Sequence, residues 1–64
     1  MWTVIHIVPS EDKANNIYNE LTLGGFLVKI QPTNKNVEKC FYQILVPETE
    51  TEEAYNLIME LGLS

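Results

Sequence analysis

Hydrophobic positions along the chain follow two different periods, and the switches between them mark out the elements. Residues 2–8, WTVIHIV, are β-branched and aromatic without a breaker, which predicts a strand that Pro9 stops. Ser10 then suits a helix N-cap, with Glu11 and Asp12 in the first turn where carboxylates favour the helix dipole. Ala14, Ile17, Tyr18 and Leu21 follow at i, i+3, i+4 and i+7, one apolar stripe on a helix that Gly24 and Gly25 should close. FLVKIQ, residues 26–31, predicts a second strand ended by Pro32, and CFYQILV, residues 40–46, a third ended by Pro47. The polar run between them reads as a hairpin loop of roughly eight residues. Thr49 with Glu52 fits a capping box, and Ala54, Leu57, Ile58 and Leu61 repeat the helical stripe up to Gly62.

The two helices spell nearly the same phrase. ANNIYNEL, from Ala14, and AYNLIMEL, from Ala54, are identical at four of eight positions, with apolar pairs at Ile17/Leu57 and Tyr18/Ile58. A repeat of alanine plus later bulky residues is a packing solution: the small residue lets a helix approach a sheet, and the larger ones fill the space beyond. The repeat therefore carries the fold and no chemistry.

The element order β-α-β-β-α, with right-handed crossovers and both helices on one face, puts strand 3 between strands 1 and 2. The expectation is an α+β fold with a three-stranded mixed sheet in order 2-3-1, strand 3 parallel to strand 1 and antiparallel to strand 2. That is a ferredoxin-like arrangement lacking its last strand, in one domain over residues 1–64. The lacking strand would have lain beside strand 1, which leaves strand 1 with an unpaired edge.

Composition narrows the ways so short a chain can be stabilised. A domain of this size buries only about 60% of its unfolded surface and commonly gains support from disulfides, a metal or a partner. Cys40 is the only cysteine, so no disulfide closes within the chain, and Cys40 with His6 are too few soft ligands for structural zinc. Self-association is left as the expected support. The single thiol favours a reducing compartment, and the apolar start MWTVIHIVP is too short to span a bilayer and has no basic lead-in, so the expected location is cytoplasmic with no membrane partner. Nine Asp and Glu face four Lys and no Arg, a net charge of −5 that argues against nucleic acid.

Candidate chemistry is sparse. His6 has no Ser, Cys or Asp at a catalytic spacing, which favours a structural or interface role. Cys40 follows Lys39, but neighbours on a strand point to opposite faces, so ordinary strand packing is expected. Glu48, Glu50, Glu52 and Glu53 lack the glycine and alternating oxygen ligands of a calcium loop and are explained by the dipole of the helix they precede. Lys29, Lys35 and Lys39 gather on or beside the hairpin and are the candidate residues for a small anion, although no Gly-rich phosphate loop accompanies them. No catalytic residue, metal or cofactor is expected, and the chain does not read as an enzyme.

The run ILVPETETEEAYNLI, together with GGFLVKI after the first helix, resembles the small bacterial signal-transducing proteins of unknown function, chains of this length and element order that are likened to the nitrogen-regulatory PII proteins. The resemblance covers nearly the whole chain and rests on Val46-Pro47, the acidic residues after it, Ala54 and Gly25. It implies a fold and a regulatory setting and transfers no catalytic residue. Similar short chains also carry a glutamate decarboxylase label, but a pyridoxal enzyme must enclose its cofactor and a Schiff-base lysine, which 64 residues cannot do.

Two functions are consistent with these features. The first is a regulatory or protein-interaction module that self-associates, most simply as a homodimer. One face of strand 1 carries Thr3, Ile5 and Ile7 and the other Trp2, Val4, His6 and Val8, so the outward set is mostly apolar whichever it is. With Leu27, Phe41 and Leu45 it would form a patch larger than monomers usually expose. Trp2, Ile5, Ile7, Phe41 and Leu45 are the expected self-association residues, and the edge of strand 1 belongs to the same seam. The alternative is an anion or metabolite sensor at the lysines of the hairpin.

Overall fold

The structure, a computed structural model, describes residues 1–36 and 39–62, and of residues 34–36, 39 and 40 it describes the backbone. The elements run β1 (Trp2–Val8), α1 (Glu11–Leu23), β2 (Lys29–Asn36), β3 (Lys39–Pro47), a 3-10 turn (Glu48–Glu50) and α2 (Thr51–Leu61). The sheet order is β1-β3-β2, as the element order predicts. Its directions correct the expectation of a mixed sheet: β3 is antiparallel to β1 as well as to β2. A strand–helix–strand unit brings β2 back in the direction of β1, and the hairpin then reverses β3 against both. The fold is α+β with a uniformly antiparallel three-stranded sheet.

Helix α1 begins and ends by local chemistry that the sequence signals. The Ser10 hydroxyl accepts a hydrogen bond from the Lys13 backbone N–H at 3.3 Å, satisfying one of the first-turn donors. At the other end Gly25 adopts φ +91°, its N–H donates to the Thr22 carbonyl, and the Phe26 N–H donates to the Leu21 carbonyl. This is a Schellman closure. It explains why β2 starts at Lys29 and not at the expected Phe26: the Phe26 backbone is closing the helix, while its ring packs against the core. Pro32 does not end β2 either, but sits inside it opposite Tyr42. β2 is an edge strand, where a residue without an N–H is tolerated because that side needs no partner.

The predicted capping box is absent. Glu50 occupies the N-cap position of α2 without a side-chain bond, and the hydroxyl of Thr51, not of Thr49, donates to the Glu48 carbonyl at 3.1 Å. With the 3-10 turn the N-cap falls one residue later than expected. Its first N–H, at Glu48, donates to the Met1 carbonyl at 2.8 Å, which ties the start of β1 to the end of β3.

Both helices pack on one face of the sheet, α1 mainly against β3 and α2 mainly against β1. Ala14 and Ala54 are fully buried, as the repeated phrase predicts, within a cluster that includes Val8, Ile17, Leu21, Ile44, Val46 and Ile58. Beyond the alanines the repeat diverges. Helix α1 buries Ile17 and leaves Tyr18 exposed, whereas α2 buries Ile58 and only partly buries Leu57. The two faces are thus set by i+3 in one helix and i+4 in the other. Leu57 turns toward the close of α1 instead: a Cβ added at Gly24 would lie 3.1 Å from its Cδ2. Tyr18 and Leu61 drop out of the expected stripes.

Two stability outcomes follow. Ile58→Ala removes a fully buried side chain and should cost about 2–5 kcal/mol in urea unfolding, with Leu57→Ala costing clearly less; equal costs would contradict the α2 orientation. Gly25→Ala meets no steric obstacle, since nothing lies within 4 Å of the added Cβ, so its cost should be the backbone strain of a positive φ alone, about 1–2 kcal/mol by the same measurement. An unchanged midpoint would contradict the helix closure.

Candidate functional site

The sheet leaves one broad face without helices, and strand register decides what stands on it. On β3 the core side takes Tyr42, Ile44 and Val46, so Phe41, Gln43, Leu45 and Pro47 point the other way. Partners directly opposite in a sheet share a face. Trp2, Val4 and Ile7 of β1 pair with Pro47, Leu45 and Gln43, and Lys29, Gln31 and Thr33 of β2 pair with Leu45, Gln43 and Phe41. These residues make up the open face.

A β-bulge in β1 settles which residues join them. Val4 pairs with Leu45 and His6 with Ile44, so Ile5 is an extra residue in the ladder. Simple alternation would place Ile5 and Ile7 together; the bulge separates them. Ile5 packs against the core and Ile7 is exposed. Neither of the two sets expected for β1 is therefore the outward one. The outward set is Trp2, Val4 and Ile7, taken from both, and Ile5 leaves the group of expected self-association residues.

Of that group Trp2, Ile7, Phe41 and Leu45 do share the open face, and Val4 joins them. Trp2, Val4, Ile7 and Phe41 are 43%, 40%, 53% and 43% exposed. Leu45 is different, at 8% exposed although it is no part of the core cluster. The cause lies across the sheet. The Lys29 ammonium sits 5.5 Å from the centre of the Trp2 ring, within cation–π range. Because β1 and β2 flank β3, that contact has to pass over β3 near Leu45. Leu27 is exposed but lies in the connection before β2.

The backbone positions of the candidate anion residues are spread along the hairpin. Lys29 opens β2 and is held over Trp2, while Lys35 lies near the strand's other end and Lys39 pairs with Asn36. Six residues of strand separate Lys29 from Lys35, roughly 20 Å. The side chains of Lys35, Lys39 and Cys40 lie outside the described residues. His6 stands on the helix side of β1, level with Ile44. Among the described residues no group of three or more His, Cys, Asp or Glu could hold a metal ion, and no helix is long and apolar enough to cross a membrane.

The charge distribution completes the picture. Eight of the nine carboxylates lie on the helices or the 3-10 turn, and Glu38 lies outside the described residues. The residues of the open face named above include one cation and no carboxylate. Sequence alternation could have found the apolar character of this face, but not its membership, because the bulge has no residue signature here.

Compared with family models, with curated proteins and with solved structures, the chain matches none.

The bulge makes a direct prediction. At submicromolar concentration Ile5→Lys should remove most of the stability, about 5 kcal/mol for so small a domain, by forcing a charge against the core. Ile7→Lys under the same conditions should change the urea midpoint little. The reverse order would contradict the register of β1.

Proposed function

We propose that the chain is a small regulatory or protein-interaction module that pairs with a second copy of itself through the open face of its sheet. The observation that carries this reading is the apolar group Trp2, Val4, Ile7 and Phe41, each at least 40% exposed and all on one face. Isolated exposed hydrophobics are ordinary, but a contiguous patch on a monomer is not.

Three features favour a second copy as the occupant. The first is charge. In a chain of net charge −5, the open face is free of carboxylates among the described residues, so two such faces can meet without acid–acid repulsion. The second is area. The molecule measures 33 × 25 × 15 Å, the short axis being that of a sheet with a single layer of helices. Its broad face is large enough for the roughly 800 Å² per partner of a standard interface. The third is geometry: an antiparallel sheet with one face covered closes well against an identical sheet about 10 Å away, and a two-fold axis makes the contact finite.

The face, more than the free edge of β1, is the seam. A bulge twists a strand and interrupts the row of groups another strand would pair with, a common protection of edges. β2, the other edge, is guarded by Pro32. The reading fits a ferredoxin-like unit lacking its last strand, a likeness that favours binding and transfers no catalytic residue.

Light scattering on a size-exclusion column should give twice the 7.3 kDa of one chain at micromolar concentration, falling toward one chain on dilution. Ile7→Lys should give a folded species of single mass at every concentration. A wild-type chain that stays at single mass over a hundredfold range would contradict the proposal.

A further inference from the structure

The side of β1 away from the seam shapes a second feature. Where β1 ends and α1 begins, a cleft of about 400 Å³ opens beside Gly62 at the close of α2. Its lining brings together His6, Lys13 and Asn16 with the apolar residues Ile7, Val8, Pro9 and Ile17. None of its lining residues among the described residues is a carboxylate, whereas a second depression on the surface is bordered by Glu53 and Glu60. Among the described residues no carboxylate pairs with the Lys13 ammonium.

We propose that this cleft binds a small organic anion, a carboxylate carried on an apolar body. The ammonium of Lys13 supplies the charge, and the Asn16 amide and His6 imidazole supply further donors, so an anionic head can be held by several hydrogen bonds. The exposed side chains of Ile7 and Pro9 in the lining give a ring or short alkyl chain a surface to cover, with buried Val8 and Ile17 behind them. The volume falls within the range of small-molecule pockets. Lys13 is the one lysine outside the hairpin, and the fold, not its sequence neighbourhood, brings it beside His6. The polar groups of the site stand on the helix side of the sheet, away from the seam, and Ile7 is the lining residue that the cleft shares with it.

The test is a titration of the isotope-labelled full chain followed by backbone amide shifts, with three probes: benzoate, benzamide and inorganic phosphate. Benzoate should give saturable shifts in residues 6–9, 13, 16 and 17. Benzamide, with the same ring and no charge, and phosphate, with charge and no apolar body, should each bind at least about tenfold more weakly. Lys13→Gln should weaken benzoate by about tenfold and leave benzamide unchanged. Asn16→Ala, an exposed change, should weaken benzoate to a lesser degree without altering the fold. No saturable shift up to about 50 mM benzoate, beyond the affinity range of fragment-sized ligands, would overturn the proposal. Equal binding of benzoate and benzamide, or of benzoate and phosphate, would overturn the assigned ligand class. Benzoate binding that Lys13→Gln does not weaken would overturn the site.

Discussion

Two residues of β1, Ile5 and His6, stand against one residue of β3, Ile44, and the rest of the molecule depends on that mismatch. Ile44 is fully buried at the centre of the core. Before the bulge, β1 sends Thr3 inward with Val46; after it, β1 sends Val8 inward with Tyr42. Ile5 packs against the core on the same side as Thr3, and the extra residue brings His6 and Val8 to that side in place of Ile7. The core thereby takes Ile5 and Val8 from this edge strand, and Ile7 is turned outward beside Trp2 and Val4. A bulge also strengthens the local twist, which suits an edge strand on which α2 packs.

The second constraint is thickness. One sheet and one helix layer bury a single core, and among the described residues no third layer covers the far side of the sheet. The molecule answers part of that need internally, by laying Trp2 and Lys29 toward each other over Leu45. Val4, Ile7 and Phe41 are left exposed. The segregation of carboxylates onto the helices keeps this face from carrying the repulsion that a net acidic chain would otherwise bring to any self-contact. Packing and charge thus lead to the same reading of the open face.

Much of the architecture was legible in the residues. Ser10, Gly25 and Gly62 marked helix ends because capping is local chemistry, and Ala14 and Ala54 marked the points of closest helix–sheet approach. The strand order followed from the order of elements. What was not legible depended on partners distant in sequence. Phe26 looked like the start of a strand because its neighbours are apolar, yet its N–H is taken by the helix closure. Pro32 looked like a stop because its tolerance depends on β2 being an edge. Leu57 and Ile58 compete for the inner face of α2; Ile58 takes it, and Leu57 lies beside Gly24 at the close of α1. For the candidate site the apolar surplus of β1 was visible, but the division of its residues between faces was hidden by the bulge. Lys13 and His6 do not read as a pair in the sequence, since six residues and a change of element lie between them.

The most direct measurement is an isotope-filtered NOE experiment on an equimolar mixture of labelled and unlabelled chains, which reports contacts between copies only. The account predicts intermolecular contacts from the Trp2 ring and from the methyl groups of Val4 and Ile7, with Phe41 among their partners, and none from Ile5 or from the outer surfaces of α1 and α2. Intermolecular contacts that arise from Ile5 or from the helices, or their complete absence at millimolar concentration, would contradict it.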